Sequence, residues 1–122
     1  MQERISDAEL AIMEVLWAES PITATDVAAR LAGDRDWSIT TIKTLLSRLL
    51  AKAAVGYAQD GRRFLYSPLV EREDYVTGES RRLVDRLFGG KFMPLVAHLA
   101  EQEKLSDDDI AEIERLLREM RK

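Results

Sequence analysis

The sequence predicts a mainly α-helical (α+β) protein with one small β-hairpin. Two observations lead to this prediction: apolar residues recur at helical spacing in six segments, and one stretch after Gly56 changes to the alternating period of a strand. With 122 residues, 46% of them hydrophobic and 33% charged, the chain has the composition of a globular protein rather than of a disordered one. The length allows one domain of ordinary size or two small ones.

Capping boxes mark the first two helices: a serine or threonine and an acidic residue three positions later satisfy each other's backbone N–H groups. The first helix is expected to end before Ser20-Pro21, because proline disfavours helical geometry in the residue before it. The second is short, ends near Gly33 and is followed by a loop that reaches Trp37. The boxes are Ser6 with Glu9 and Thr23 with Asp26.

A third helix, capped by Ser38, divides into an apolar and a polar face when its residues are placed at intervals of about 100°. The polar face has no acidic residue and combines short hydroxyl side chains with cations, whereas an ordinary solvated face mixes both charge signs. The apolar face comprises Ile42, Leu45, Leu46, Leu49 and Leu50. The polar face comprises Thr40, Thr41, Lys43, Thr44, Ser47, Arg48 and Ala51.

Two short strands, 55–59 and 63–67, are predicted to form a hairpin. The dipeptide Asp60-Gly61 between them tolerates the positive φ that a tight hairpin turn requires. Arg62 and Arg63 then lie at or beside the tip. Because an isolated two-stranded hairpin is only marginally stable in water, this one must pack on the helices before it.

Three more helices are predicted after the hairpin. Gly89-Gly90 ends the first of them, Pro94 is tolerated in the first turn of the second, and Ser106 with Asp109 caps the third. The three helices cover about residues 71–88, 92–103 and 107–121, the second ending near Glu103.

Charge is distributed unevenly along the chain, although the formal net charge is −4. Residues 1–37 contain three basic and eight acidic side chains, and residues 69–122 contain ten basic and thirteen acidic ones. Residues 38–68, by contrast, contain five basic side chains and one acidic residue, Asp60. Bulk acidity alone argues against a nucleic-acid partner, but this basic stretch covers the third helix and the hairpin, and it is the first functional signal.

Three helices followed by a hairpin, with the third helix polar and basic on its outward face, form the outline of a winged helix-turn-helix. An α-helix fits the major groove of B-DNA, and its Ser, Thr, Lys and Arg side chains reach base edges and phosphates there. The pattern leaves two functions open: binding of double-stranded DNA, and a protein-interaction module whose third helix docks on an acidic partner. For Arg48, the alternatives to a DNA contact are a solvated surface cation and an ion pair with a carboxylate of helix 1 or 2.

Other classes of function find little support in the sequence. The chain has no cysteine, which excludes disulfides and thiolate metal sites and fits a reducing compartment. No segment resembles a membrane span, a signal peptide, a phosphate-binding glycine loop or a nucleophile elbow. The single histidine, His98, has no second metal ligand near it in the sequence. The three aspartates at 107–109 are better explained by capping of a helix start than by a metal site. We expect a cytoplasmic protein that is not an enzyme, has no cofactor or metal and does not insert into a membrane.

Several segments together resemble the family of penicillinase repressors and copper repressors (BlaI/MecI/CopY). The resemblance extends over nearly the whole chain in the right order, and its most specific part lies on the third helix. The segments are Ile5-Ser6-Asp7-Ala8-Glu9, Val15-Leu16-Trp17, Thr41-Ile42-Lys43-Thr44-Leu45-Leu46-Ser47-Arg48-Leu49, Phe64-Leu65-Tyr66-Ser67-Pro68 and Leu87-Phe88-Gly89-Gly90. The resemblance implies a bacterial transcriptional repressor that binds a palindromic operator as a homodimer, with a winged-helix DNA-binding domain over residues 1–70 and a helical dimerisation domain over residues 71–122.

The resemblance also implies which side chains contact DNA. The family's recognition helix falls on residues 39–52, where the outward side chains would contact base edges and nearby phosphates. Thr40, at the start of this helix, would bind a phosphate. The implied DNA contacts are Thr40, Thr41, Lys43, Thr44, Ser47 and Arg48 from the helix, and Arg62 and Arg63 from the wing.

The C-terminal segment supports dimerisation independently of the resemblance. About 50 residues in three helices bury little core alone, and chains of this size usually need oligomerisation or a covalent or metal staple. Its apolar stripes pack either on the winged helix or on a second copy, and a two-fold dimer is favoured because it matches a palindromic site. The candidate dimerisation residues are Tyr75, Leu83, Leu87, Phe88, Leu95, Leu99, Ile110, Ile113 and Leu117.

Two routes of release are implied by the resemblance. The copper-responsive branch binds metal through a C-terminal Cys-x-Cys pattern, which a chain without cysteine cannot provide. The β-lactam branch is inactivated by a membrane sensor protease that cuts within the dimerisation domain. The corresponding position is His98-Leu99, where the penicillinase repressors carry Asn-Phe. Proteolysis there is the expected inducing signal.

Overall fold

The computed structural model describes residues 4–102 and 105–122, which form six α-helices and one two-stranded antiparallel sheet. The predicted order of three helices, a hairpin and three helices is confirmed. Glu103, the predicted end of the fifth helix, lies outside the described residues. In the described part of the chain, no helix is long and apolar enough to cross a membrane. The elements are α1 Asp7–Ala18, α2 Ala24–Leu31, α3 Ile39–Ala51, β1 Val55–Asp60, β2 Arg63–Pro68, α4 Arg72–Phe88, α5 Met93–Glu101 and α6 Asp107–Met120.

The contacts divide the chain into two compact units, the first ending at Tyr75 and the second comprising Val76–Lys122. The first unit continues past residue 70 because three contacts hold the following segment to α1. Trp17 Nε1 donates to the carbonyl oxygen of Val70 (2.8 Å), its ring centroid lies 5.8 Å from that of Tyr75, and Arg72 Nε donates to Glu14 Oε1 (3.0 Å). The first turn of α4 therefore belongs to the first unit.

The predicted helix caps are confirmed. In each capping box the hydroxyl of the first residue accepts from the backbone N–H three positions later, and the carboxylate there accepts from the first residue's own N–H. Ser38 Oγ accepts from the backbone N–H of Thr41 at the start of α3. These boxes satisfy N–H groups that helix starts otherwise leave unpaired. They are Ser6 with Glu9, Thr23 with Asp26 and Ser106 with Asp109.

The core of the first unit is the apolar side of three helices together with the start of the hairpin. The hairpin joins this core through a backbone bridge: the N–H of Ile22 donates to the carbonyl of Tyr66 (3.2 Å), and the N–H of Tyr66 donates to that of Ile22 (2.7 Å). The expected support of the hairpin by the preceding helices is thus provided by main-chain hydrogen bonds and by the packing of Tyr66 and Val55. The fully buried larger side chains are Ile12, Met13, Leu16, Val27, Ile42, Leu46, Leu49, Val55 and Glu9.

The loop of the hairpin is one residue shorter than predicted. Asp60 pairs with Arg63 across the ladder, so the loop consists of Gly61 and Arg62 and not of residues 60–62. Gly61 has a φ of 64°, which supplies the left-handed conformation that a two-residue hairpin loop requires. The prediction placed the turn and its glycine correctly but left Asp60 outside the ladder, because the local sequence does not determine which two residues form the last pair.

The second unit has little interior of its own. No described residue of α4, α5 or α6 is buried, and several large apolar side chains are exposed. Gly89 and Gly90, with φ values of 58° and 84°, end α4 as predicted, and the N–H of Gly90 donates to the carbonyl of Val84 (3.1 Å). The exposed apolar side chains are Val76, Leu83, Leu87, Phe92, Met93, Ile110, Leu116, Leu117 and Met120.

The end of α3 generates the first prediction. Ala53 follows the helix with a φ of 60°, in the left-handed region, and the N–H groups of Ala53 and Ala54 donate to the carbonyls of Leu50 and Leu49. Left-handed geometry costs a residue with a β-carbon roughly 1–2 kcal/mol. Since glycine is also freer in the unfolded chain, we expect Ala53→Gly to raise the free energy of unfolding by about 0.5–1 kcal/mol, measured by urea denaturation.

Ala51→Gly is the matched control. Ala51 is exposed inside the last turn of α3, where glycine is expected to lower the free energy of unfolding by roughly 0.5–1 kcal/mol. Equal destabilisation by both substitutions would contradict the left-handed cap.

Candidate nucleic-acid interface

The predicted division of α3 into two faces is confirmed. The apolar side chains are buried, except that Leu50 is half-buried, and every hydroxyl and cationic side chain of the polar face is exposed. α3 has no acidic residue in its sequence. The helix therefore presents an uninterrupted surface of donors and positive charge. The exposed residues are Thr40, Thr41, Lys43, Thr44, Ser47 and Arg48.

The side chains of this face differ in how far they are already engaged. Thr44 Oγ1 donates to the carbonyl oxygen of Thr40 (3.0 Å), and the hydroxyls of Thr41 and Ser38 lie 3.2 Å apart. Within the described part of the chain, the side chains of Lys43, Ser47 and Arg48 have no hydrogen-bond or ion-pair partner. The alternative ion pair of Arg48 with a carboxylate of α1 or α2 is therefore absent, and these three side chains are available to an external partner.

Both wing arginines are exposed at the tip of the hairpin. Arg62 occupies the second loop position, and Arg63 begins β2, where its Nη2 lies 2.8 Å from Asp60 Oδ2. The structure brings both into one cleft with Lys43 of α3, which the sequence did not predict. Thr25 of α2 and Phe64 of β2 also line this cleft. Sequence reasoning missed these two, since neither belongs to the basic pattern of α3 or of the tip.

The candidate dimerisation residues lie in two places. Tyr75 is half-buried and contacts Trp17 within the first unit. The others belong to α4, α5 and α6: Leu83, Leu87, Ile110 and Leu117 are exposed, and Phe88, Leu95, Leu99 and Ile113 are half-buried.

The candidate cleavage position lies in the last turns of α5, where His98 is exposed and Leu99 is half-buried. No group of three or more His, Cys, Asp or Glu side chains that could hold a metal ion occurs in the described part of the chain.

Comparison with known proteins identifies the family to which this architecture belongs. The family model described as "Penicillinase repressor" matches residues 5–119. Over 116 residues the chain is 35% identical to the penicillinase repressor of Bacillus licheniformis, an alignment that covers 95% of this chain and 91% of that protein. The chain belongs to the penicillinase repressor family. The family resemblance inferred from the motifs is confirmed.

Two further similarities extend this result within the penicillinase repressor family. The methicillin resistance regulatory protein MecI of Mammaliicoccus sciuri is 34% identical over 113 residues, which cover 93% of this chain and 92% of that protein. The solution structure of Bacillus licheniformis BlaI, in monomeric form in complex with the blaP half-operator, is 40% identical with a TM-score of 0.53. The similarity covers 62% of this chain and 92% of that chain. The winged-helix fold predicted for the N-terminal part is confirmed.

One cation of the basic stretch, Lys52, is paired within the first unit. Lys52 follows α3 as its C-cap, and its Nζ donates to Glu9 Oε1 (2.5 Å) and to the carbonyl oxygen of Arg4 (2.9 Å). Glu9 is 1% exposed and the side chain of Lys52 is 20% exposed, so the carboxylate is buried and its cation lies at the edge of the core. The positive charge counted for residues 38–68 therefore overstates what a partner meets, because one of its five cations is paired with a buried carboxylate.

The electrostatics of this pair follow from burial and hydrogen bonding. Burial alone would raise the pKa of Glu9, but hydrogen bonds from Lys52 and from Ser6 outweigh it and hold that pKa below its usual value. Glu9 Oε2 is buried without a hydrogen-bond partner in the described part of the chain. The negative charge on Oε2 is therefore stabilised by the nearby charge of Lys52 and not by a hydrogen bond of its own.

We expect Lys52→Met to lower the free energy of unfolding by about 3 kcal/mol at neutral pH, since it leaves a buried carboxylate without its cation. Because the folded pKa of Glu9 is lowered in the native chain, its contribution to stability is present above the unfolded pKa and lost as pH falls through the folded pKa. In the variant, burial is no longer opposed by Lys52. The difference in free energy of unfolding between the native protein and Lys52→Met should therefore become smaller as pH falls from 7 to about 4. Urea denaturation across that pH range measures it.

Lys43→Met is the control, because it makes the same substitution at an exposed position of α3. Its free energy of unfolding should stay within about 0.5 kcal/mol of the native value. A Lys52→Met variant that behaves like this control at neutral pH would show that the buried pair contributes nothing to stability.

Proposed function

We propose that this protein is a bacterial transcriptional repressor that binds a palindromic operator in double-stranded DNA as a homodimer. The observation that carries the proposal is the polar face of α3, which has no carboxylate and in which Lys43, Ser47 and Arg48 have no described partner. Membership of the penicillinase repressor family and the likeness to a BlaI structure in complex with a half-operator support it. A repressor of this kind acts in the cytoplasm, where the bacterial chromosome lies.

The side chains of the polar face differ in chemistry and are therefore suited to different groups of the DNA. Arg48 and Ser47 offer unengaged donors for base edges, and arginine pairs best with guanine O6 and N7. Thr41 and Thr44 have hydroxyls already engaged within the helix, so their methyl groups are suited to contacts with thymine methyls. Thr40, in the first turn, is placed for a phosphate. The wing arginines extend the contact to the flanking backbone.

The second unit is the dimerisation module of the proposal. None of its described residues is buried, and α6 alone exposes four large apolar side chains, which water disfavours. Since the α-helices of one copy leave these stripes uncovered, a second copy related by a two-fold axis is the partner that fits. Such symmetry matches two half-sites of a palindrome.

Release of the operator follows from damage to that module. A membrane sensor protease is the proposed partner, and His98-Leu99 in α5 is the proposed cleavage position. Because the bond lies inside a helix, cleavage requires α5 to open locally. A helix without a buried residue opens more readily than one in the core of the first unit.

We expect the purified protein to bind the palindrome upstream of its own gene far more tightly than a scrambled duplex of equal length, measured by fluorescence anisotropy at physiological salt. Arg48→Ala should weaken operator binding by about ten- to a hundredfold, the value of one good base contact. Its melting temperature should not change, because the side chain is exposed and unpaired in the described structure.

Arg30→Ala is the matched control: it removes the same charge from α2, where Arg30 pairs with Glu19. Operator affinity close to the native value is expected for it. Equal and weak binding of the native protein to both duplexes would overturn the repressor and favour the protein-interaction module.

We expect the protein to sediment at twice the chain mass, and Leu117→Glu to shift it towards the monomer, because a charge on the apolar stripe of α6 must be desolvated in the dimer. Ala111→Glu places the same side chain about 120° away from Leu117 around the helix and should leave the dimer intact. Sedimentation equilibrium measures both. A native protein that is monomeric at every concentration would contradict the dimer.

A further inference from the structure

A cleft of about 340 Å³ lies between the start of α2, α3 and the wing. Three cations line it: Lys43 from α3, and Arg62 and Arg63 from the hairpin. A single carboxylate, that of Asp26, lines it as well. The cleft therefore collects positive charge from two separate elements, and the charges meet only because the hairpin folds back beside the helices.

The one carboxylate of the cleft is held by the cap of α2 and keeps its negative charge. Asp26 Oδ2 accepts from the backbone N–H of Thr23 (3.1 Å), and this hydrogen bond is the main reason that the pKa of Asp26 lies below its usual value. Arg63 is paired with Asp60. Lys43 and Arg62 have no partner in the described part of the chain. These two unpaired cations outweigh the single charge of Asp26, so the potential in the cleft is positive and favours an anion.

The neutral side chains of the cleft suit a phosphate that carries a sugar. Thr25 is exposed, and its hydroxyl has no described partner, so it is free to donate. The ring of Phe64 is 43% exposed and is held edge-to-face against Tyr57, with centroids 5.0 Å apart. A deoxyribose presents an apolar face of C–H groups that such a ring can contact. The volume is at the lower end of small-ligand clefts, roughly 300–1,000 Å³.

Helical geometry separates Lys43 from the base-reading side of α3. Lys43 and Arg48 are five positions apart, which places them about 140° from one another around the helix. Two side chains so far apart cannot both lie at the centre of one groove. Since Lys43 lines the cleft beside the wing, it lies on the flank of α3 that faces the hairpin.

We propose that this cleft is a phosphate subsite, in which Lys43, Arg62 and Thr25 hold one sugar-phosphate unit of the DNA backbone, so that Lys43 contacts a phosphate and not a base edge. The proposal rests on the proposed function and specifies how one part of that interface works. It assigns Thr25 and Phe64 to the interface and gives Lys43 and Arg48 different roles. Contacts to phosphate add affinity for every sequence, whereas contacts to base edges separate one sequence from another.

The test compares Lys43→Met, Thr25→Val and Arg48→Met in the full-length protein. Dissociation constants for the operator and for a scrambled duplex of equal length are measured by anisotropy at several salt concentrations. Lys43→Met should weaken binding to both duplexes by the same factor and reduce the slope of log K against log salt by about one per bound protomer. Thr25→Val should weaken both by a smaller common factor without changing the slope, because it removes a neutral donor.

Arg48→Met is the matched control, since it removes the same charge from the same helix outside the cleft. Arg48→Met should lower the ratio of the affinity for the operator to the affinity for the scrambled duplex. Lys43→Met should leave this ratio unchanged. The proposal is overturned if Lys43→Met lowers that ratio as Arg48→Met does, or if it leaves the salt slope unchanged. A native protein that does not distinguish the two duplexes would instead overturn the repressor function, and the salt slope would still decide the subsite.

Discussion

The buried ion pair between Glu9 and Lys52 is the contact on which the arrangement of the first unit depends. Glu9 caps the start of α1 through Ser6, and Lys52 caps the end of α3, so one carboxylate joins the first helix to the helix that carries the polar face. A buried charge without its partner is costly, which makes other placements of α3 against α1 unfavourable. The carbonyl oxygen of Arg4 accepts a hydrogen bond from the same ammonium group, which holds the segment before α1 next to the end of α3.

The wing is positioned by main-chain hydrogen bonds as well as by the packing of Val55 and Tyr66 on the core. Ile22 and Tyr66 form an antiparallel bridge that adds the segment before α2 to the edge of the hairpin. Because these bonds are directional, they determine the angle of the hairpin as well as its position. The tip then lies beside α3, and Arg62 and Lys43 line the same cleft. The electrostatics of the interface are thus a consequence of backbone geometry at a distance from the charges themselves.

The two units differ in how their apolar side chains are used. In the first, three helices and the hairpin enclose a common core that includes Ile12, Leu16 and Leu46 at 0% exposure. In the second, Leu87, Leu117 and Met120 remain exposed, and none of its described residues is buried. A unit of this kind gains stability when a second surface covers its exposed apolar side chains, and the proposed dimer would provide that surface.

The sequence by itself determined the features that depend on nearby residues: the six helices and their caps, the hairpin, and the apolar and polar faces of α3. It also contained the motifs that identified the family. Only the tertiary structure decided which charges are available. Lys52 is close in sequence to the polar face but pairs with Glu9, 43 positions away. Lys43 and Arg62 are far apart in sequence but line one cleft. Helical periodicity acts over a few residues, whereas burial and pairing of charge depend on contacts that form only when the chain has folded.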